Sequence, residues 1–185
     1  RTAKPLTGTW NGPGSPPVSI KVLFPPEYEA SAAPALKATQ DSLTYFSNSL
    51  GPYPYKTVTV VIPPLNASEA GGMEYPTFFT ATGHAEVPKD SLTQYGLDFV
   101  TIHEFGHGYF MGILASNEFE EPMLDEGLNE YWDQRMLRES RSKIHLTTPF
   151  LRKLGIAPTL DGSDYERLAA SNAEPADPVG FNSWD

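Results

Sequence analysis

The sequence contains no cysteine, which excludes disulfides, thiolate metal sites and cysteine nucleophiles and leaves the redox compartment undetermined. It is also poor in positive charge, because 13 Lys and Arg residues stand against 23 Asp and Glu residues, a net charge of −10. A chain this acidic repels nucleic acids and anionic membrane surfaces, so we expect neither as a partner. No apolar run reaches membrane-spanning length, so no membrane span is expected.

The residues that are present indicate one globular domain of 185 residues, 39% of them hydrophobic and 12% aromatic. Its 18 prolines and 15 glycines predict many loops. We interpret 1–17 as a linker or extended entry segment, 18–155 as the core and 156–185 as a loop-rich end. Because the chain begins at Arg1 rather than Met, we expect it to be processed or excised from a longer protein. Compartment and oligomeric state are not indicated.

Hydrophobic periodicity predicts strands followed by helices, which is typical of an α+β fold. Pro76 cannot donate to a strand ladder, so the strand-like segment around it is expected at a sheet edge. Strands are predicted at 18–24, at 57–62 and in the segment that ends at Thr80, and helices at 34–50, 97–114, 122–138 and 149–154.

A five-residue motif in the helix predicted at 97–114 carries metal chemistry: His103-Glu104-Phe105-Gly106-His107. Two histidines four residues apart are separated by about 40° around a helix. Their imidazoles therefore project from one face and can bind one ion. Glu104 can reach a water molecule on that ion, as the general base of a zinc peptidase does.

A catalytic zinc site needs a third protein ligand and an open position. The metzincin pattern fails, because its Gly and His positions are occupied by Phe110 and Ile113. Glu126 follows His107 after 18 intervening residues, enough chain to finish one helix and bring a second one back beside it. Asp133, two turns beyond Glu126, is a candidate to orient a metal-bound imidazole, and Glu130 is the competing candidate.

A second signal is the segment Gly71-Gly72-Met73-Glu74. Its two glycines permit close approach of another backbone, and a following edge strand can pair with an extended peptide. Glu74 would then present a carboxylate to the free α-amine of that peptide. The alternative is an ordinary glycine turn with Glu74 in solvent.

Taken together, these residues resemble the aminopeptidase N family of gluzincin zinc exopeptidases, whose hallmark is HExxH, 18 residues and Glu, preceded by Gly-x-Met-Glu. The resemblance covers about 18–140 and implies a thermolysin-like catalytic domain without the family's flanking domains. It implies one zinc ion held by His103, His107 and Glu126. It further implies Glu104 as general base, Glu74 on the substrate α-amine, and a substrate channel lined by Gly71, Gly72 and Met73. Peptides with a free N-terminus are the implied partners.

The sequence departs from the family pattern at three points. Tyr75 stands where many members have Asn after the exopeptidase Glu, and Asp125 stands where many have Asn before the third ligand. The family's oxyanion-stabilising Tyr has no counterpart that we assign, since the setting of Tyr165 between Asp164 and Glu166 does not suit that role.

Two further hypotheses stay open. One is an endopeptidase or another zinc hydrolase on the same scaffold, and the other is a non-catalytic peptide-binding module.

Overall fold

The computed structural model describes residues 4–140, 143–147, 149–161, 164 and 167. Within this part of the chain, five strands form a mixed sheet in the order β1-β2-β3-β5-β4. The strands are β1 (Lys4–Trp10), β2 (Val18–Phe24), β3 (Thr57–Val61), β4 (Met73–Tyr75) and β5 (Phe78–Thr80). The helices are α1 (Glu29–Ser49), α2 (Leu92–Phe110), α3 (Leu128–Glu139) and α4 (Pro149–Lys153).

The centre of the sheet follows the sequence pattern. β2 and β3 run parallel with Ile20 opposite Val58 and Val22 opposite Val60, and all four side chains are buried. The alternation in β2 and the β-branched run in β3 therefore predict two of the three inner strands of this sheet correctly. With helices packed against this sheet, the fold is mixed α/β and compatible with the expected α+β class.

The segment 1–17, interpreted as a linker or extended entry segment, contains a strand of the sheet. Lys4–Trp10 pair antiparallel with Val18–Phe24 along their whole length, so this stretch is an outer strand of the sheet. Its Pro and Gly content conceals the strand. Pro5 lies near the strand's beginning, where proline is tolerated on an outer strand.

At this end of the sheet the edge strand is β4, which contains Glu74, rather than the strand after Pro76. β5 lies between β3 and β4, and Pro76 is in the tight connection of the β4–β5 hairpin. Thr77 beside it has a φ of 61°. Because Pro76 is in the turn, its missing N–H costs the sheet no ladder bond.

Helix α1 begins five residues before Pro34, where the sequence predicts its start. A 3-10 turn at Pro26–Tyr28 leads into the helix, so Pro26 rather than Pro34 takes the first-turn position. Pro34 lies inside α1 and removes one intrahelical hydrogen bond. Buried Ala32, Ala35, Leu43 and Phe46 hold the helix against the sheet and α2.

Helix α2 spans Leu92–Phe110 rather than 97–114. Ser91 Oγ accepts a hydrogen bond from the Gln94 backbone N–H (3.1 Å), while Gln94 Oε1 accepts one from the Asp90 backbone N–H (2.8 Å). This reciprocal cap fixes the helix start, and apolar spacing alone does not reveal it.

The second half of the chain contains the remaining elements. A π-helical turn at Met123–Gly127 runs directly into α3, which places a helix where 122–138 is predicted but with a widened first turn. Strands β6 (Lys143–His145) and β7 (Thr159–Asp161) form a separate antiparallel pair. The prediction of little regular structure for 156–185 misses β7, and most of that range lies outside the described residues. None of the described helices is long and apolar enough to span a membrane.

Candidate metal centre

Helix α2 packs into the core with one face and carries the two histidines on the other. Phe105 and Tyr109 are buried and pack their rings on Phe46 of α1, with centroid distances of 5.9 and 5.5 Å. His103 and His107 are each offset by two residues from this pair, about 200° around the helix. Aromatic packing on one side therefore fixes the direction in which the two imidazoles leave the other side.

The two imidazoles meet in front of α2. The Nε2 atoms of His103 and His107 are 3.2 Å apart, and their rings are nearly perpendicular, at 88°. His107 is buried, whereas 18% of the His103 side chain is exposed. Phe99 stacks on His103, with ring centroids 6.0 Å apart, and so limits the rotation of that ring.

Glu126 supplies the third donor atom at this point. Its Oε2 lies 3.2 Å from His103 Nε2 and 3.8 Å from His107 Nε2. The π-helical turn before α3 carries the residue to this position, and 60% of its side chain stays exposed. The three atoms form a group that can hold a metal ion.

Buried carboxylates hold both imidazoles by the opposite ring nitrogen. His103 Nδ1 lies 2.7 Å from Asp133 Oδ2, and His107 Nδ1 lies 2.5 Å from Asp125 Oδ1. Asp133 and Asp125 are 0% and 2% exposed. With Nδ1–H donating to a carboxylate, each Nε2 lone pair points towards the shared space beside Glu126.

The structure distinguishes the two residues proposed from the sequence to orient an imidazole. Asp133 is at hydrogen-bond distance of His103, whereas Glu130 Oε2 is 3.8 Å from the same nitrogen and half exposed. The sequence analysis notes Asp125 only as a departure from the family pattern and assigns it no role. Its signal was present, because an acidic residue directly before Glu126 falls on the same short turn and can reach the other histidine.

Charge around the histidines favours a cation. Burial lowers the pKa of His103, but hydrogen bonds with Asp133 and Glu126 outweigh it and raise the pKa to about 10. Burial also opposes protonation of His107, and the contact with Asp125 again reverses the net shift, so its pKa is raised. The hydrogen bond from His103 lowers the pKa of Glu126. The carboxylates thus leave an excess of negative charge at the point where the three donor atoms meet.

Glu104 lies in the same space without being one of the three donors. Its side chain is 8% exposed, and its Oε2 is buried without a hydrogen-bond partner among the described residues. Burial raises the pKa of Glu104 to about 7, although the neighbouring histidines act in the opposite direction. A carboxylate held in this way can accept a proton near neutral pH.

Strand β4 covers the centre from the other side. A Cβ on Gly72, whose φ is 77°, would lie 3.5 Å from Glu104 Oε1, so the backbone here passes close to that carboxylate. Glu74 is half-buried, burial raises its pKa, and one of its oxygens lies within 4.8 Å of donor atoms of His107 and Asp125. Gly71 precedes this approach, and Met73 is 40% exposed at the strand start.

A close contact between α2 and α3 keeps the two halves of the centre together. Asn129 is fully buried, and its Nδ2 donates to the His103 carbonyl oxygen at 2.8 Å. A Cβ at Gly106 would overlap Asn129 Oδ1 and lie 3.0 Å from its Cγ. At position 106, therefore, only glycine allows α3 to pack this closely against α2.

We expect Asp125→Asn and Asp133→Asn each to weaken metal affinity by about 10- to 100-fold, because an amide orients the imidazole less firmly than a carboxylate. Competition with a chromophoric chelator measures the effect. Glu130→Gln is the control, because the Glu130 carboxylate lies 3.8 Å from His103 Nδ1. The metal affinity of this variant should change only slightly. Equal losses in Glu130→Gln and Asp133→Asn would contradict the assignment of Asp133.

Comparison with known proteins finds a shared fold but no family. No family model and no curated protein matches the chain. A solved structure that matches is the crystal structure of Legionella pneumophila aminopeptidase A in complex with aspartic acid, with a TM-score of 0.58 and 13% sequence identity. The match covers 74% of this chain and 16% of that chain, so the chain corresponds to a small part of that protein's length. The likeness shows a peptidase-like fold; it does not show the aminopeptidase N family or a thermolysin-like domain.

Proposed function

We propose that this chain is the metal-binding part of a zinc-dependent aminopeptidase that acts on peptides with a free N-terminus and is similar to the aminopeptidase N family. The observation that carries the proposal is the meeting of three donor atoms, from His103, His107 and Glu126, at separations of 3.2 to 3.8 Å. The peptidase-like fold supports it.

The donor set fits one zinc ion. Zinc in catalytic sites takes imidazole nitrogen and carboxylate oxygen at about 2.0–2.1 Å in tetrahedral geometry, so neighbouring donors lie about 3.3–3.4 Å apart. The observed separations of 3.2 and 3.8 Å are close to this value. Three protein donors leave one position for water. When bound, zinc polarises the scissile carbonyl and lowers the pKa of its water towards about 7.

Glu104 is the proposed general base. Its carboxylate is close enough to His103, His107 and Glu126 for their charges to act on it, and its buried Oε2 has no hydrogen-bond partner among the described residues. It takes the proton of the attacking water and returns it to the leaving amine.

Glu74 is the proposed ligand of the substrate α-amine. It lies near His107 on β4, one of the two edge strands of the described sheet, so an amine bound there places the first carbonyl near the three donor atoms. Gly71 and Gly72 lead into this strand and Met73 begins it, and we propose that all three border the path of the peptide.

An endopeptidase on the same scaffold is the second candidate, because β4 has an open outer edge and Glu74 is only half-buried. An extended peptide could pass Glu74 instead of ending there. The two candidates differ in whether a blocked N-terminus is accepted.

Replacing Glu74 with Gln separates these candidates. We expect the variant to lose roughly ten- to a hundredfold in kcat/KM on aminoacyl 4-nitroanilides, because a charged hydrogen bond to the α-amine is lost. Hydrolysis should require zinc and stop with a chelator. Glu69→Gln, an exposed acid five residues earlier, is the matched control and should leave kcat/KM unchanged. Cleavage of N-acetylated peptides that survives Glu74→Gln would favour the endopeptidase, and hydrolysis that persists in chelator would remove both candidates.

A further inference from the structure

A cavity of about 250 Å³ lies where α1, α2 and α3 meet. Each helix contributes residues to its lining, among them Ala38 of α1, Ile102 of α2 and Met136 of α3. The three donor residues of the candidate metal centre do not line it, so the cavity is separate from that centre. The proposed function makes no use of it.

The cavity contains a carboxylate on a side of α2 that otherwise packs into the core. Asp98 lies seven residues before buried Phe105, about 20° away around the helix, so both side chains leave α2 in nearly the same direction. The Asp98 side chain is partly buried and lines the cavity. A carboxylate withdrawn from water is costly unless cations or hydrogen-bond donors accompany it, so its partners decide what Asp98 can do.

The charges that face Asp98 do not neutralise it. Lys37 is the one cationic side chain among the lining residues, and its Nζ donates to both carboxylate oxygens of Asp41 at 2.5 Å. Asp98 has a hydrogen bond with the Gln94 side chain, and the lining residues from α3 and its C-terminal end carry no charge. Burial and the Asp41 carboxylate raise the pKa of Asp98 to about 7, although Gln94 and Lys37 act in the opposite direction. The lining therefore has two carboxylates to one amine.

A smaller cavity of about 50 Å³ also borders Asp98, together with Asp90 and Lys143. Neither of these two residues is among the groups that shift the pKa of Asp98. The charge around the Asp98 carboxylate is thus set from the larger cavity, which is left with an excess of negative charge.

An organic cation fits this lining better than a metal ion. Among the described residues, the groups of three or more donor side chains that could hold a metal do not include Asp98. Ile102, Met136 and Leu137, which are 3%, 8% and 5% exposed, form an apolar wall in the same cavity. An aliphatic stem can pack on such a wall while its charged end meets a carboxylate, as the side chains of Lys and Arg do.

We infer that this cavity binds an ammonium or guanidinium group on an aliphatic stem, with the Asp98 carboxylate as its anionic partner and the apolar wall in contact with the stem. A free diamine carries this chemistry, and so does the Lys or Arg side chain of a polypeptide. The inference does not depend on the proposed function.

Calorimetry on the 185-residue chain tests the inference with three probes: n-pentylamine, ammonium ion and n-pentanol. Pentylamine should bind at least about tenfold more tightly than ammonium, which has no stem, or pentanol, which has no charge. Asp98→Asn keeps the shape of the side chain but removes its charge, and it should weaken pentylamine binding by roughly ten- to a hundredfold. Glu74→Gln is the control, because Glu74 is the amine ligand proposed at the metal centre. Pentylamine binding that is lost in Glu74→Gln and kept in Asp98→Asn would contradict the inference.

The pH dependence of binding gives a readout that a purely structural role of Asp98 would not produce. From one pH unit above the Asp98 pKa of about 7 to one unit below it, the carboxylate becomes neutral, so pentylamine affinity should fall about tenfold. Cadaverine and Nα-acetyl-lysine methylamide distinguish the two sources. Tighter binding of cadaverine favours a free diamine, and tighter binding of the lysine derivative favours a polypeptide side chain. The inference is overturned if pentylamine does not bind, or if the parent chain and Asp98→Asn bind it equally.

Discussion

Replacing Glu104 with Gln is expected to lower kcat by about 10²- to 10⁴-fold on aminoacyl 4-nitroanilides. The amide has the same shape as the carboxyl group but cannot take a proton from water. Glu104 is not one of the three donor atoms, so zinc affinity should stay close to that of the parent chain. A chelator-competition titration and steady-state kinetics on the same preparation separate the two quantities.

Stability gives a second readout for the same variant. The Glu104 carboxylate is buried, and its raised pKa shows that the fold favours the neutral form. A neutral amide at this position should leave the free energy of unfolding of the metal-free chain equal or higher, as measured by urea denaturation. Glu86→Gln, at an exposed acid, is the control and should change neither quantity. Full activity in Glu104→Gln, or loss of zinc binding, would contradict the role of general base.

The parts of the fold that the sequence predicts are those with a local signal. Alternating Val18, Ile20 and Val22 mark β2, and the β-branched run at 57–62 marks β3. The spacing of His103 and His107 places both on one helical face whatever the rest of the chain does. These patterns can be recognised without knowing which residues pack against the strand or helix.

The boundaries that the sequence misses depend on capping and pairing instead. Ser91 and Gln94 start α2 through side-chain bonds to backbone, and the apolar residues begin only later. β1 becomes a strand because β2 offers a pairing edge, although its own composition is typical of a loop. In both cases the deciding interaction involves polar groups that hydrophobic periodicity does not register.

The residues of the candidate metal centre, too, are only partly predictable from the sequence. The sequence proposes His103, His107 and Glu126, and the structure places their donor atoms together, whereas the role of each stays a proposal. The sequence analysis assigned no role to Asp125 and did not name Asn129. Their importance comes from contacts of α2 with the turn before α3 and with α3 itself, which depend on how the two helices pack against each other.

Replacing Gly106 with Ala should disturb the packing of α3 against α2. The added Cβ would overlap Asn129 Oδ1, and Asn129 is fully buried, so either its side chain or the whole of α3 must shift. Overpacking of this kind costs about 1–3 kcal/mol, more than the roughly 1 kcal/mol by which Ala usually improves a helix over Gly. We expect lower stability in urea, and zinc affinity at least about tenfold weaker because Glu126 and Asp133 move with α3.

Gly96→Ala in the same helix is the matched control, since its added Cβ has no atom within 4 Å apart from its chain neighbours and the backbone of its own helix. It should raise the free energy of unfolding by about 0.5–1 kcal/mol and leave zinc affinity unchanged. Adding Asn129→Ala to Gly106→Ala removes the overlapping oxygen, so the double variant should bind zinc better than Gly106→Ala alone. Since Asn129 also donates to the His103 carbonyl, recovery should be partial. If Gly106→Ala behaves like Gly96→Ala in both measurements, close contact between α2 and α3 is not what holds Glu126 beside the two histidines.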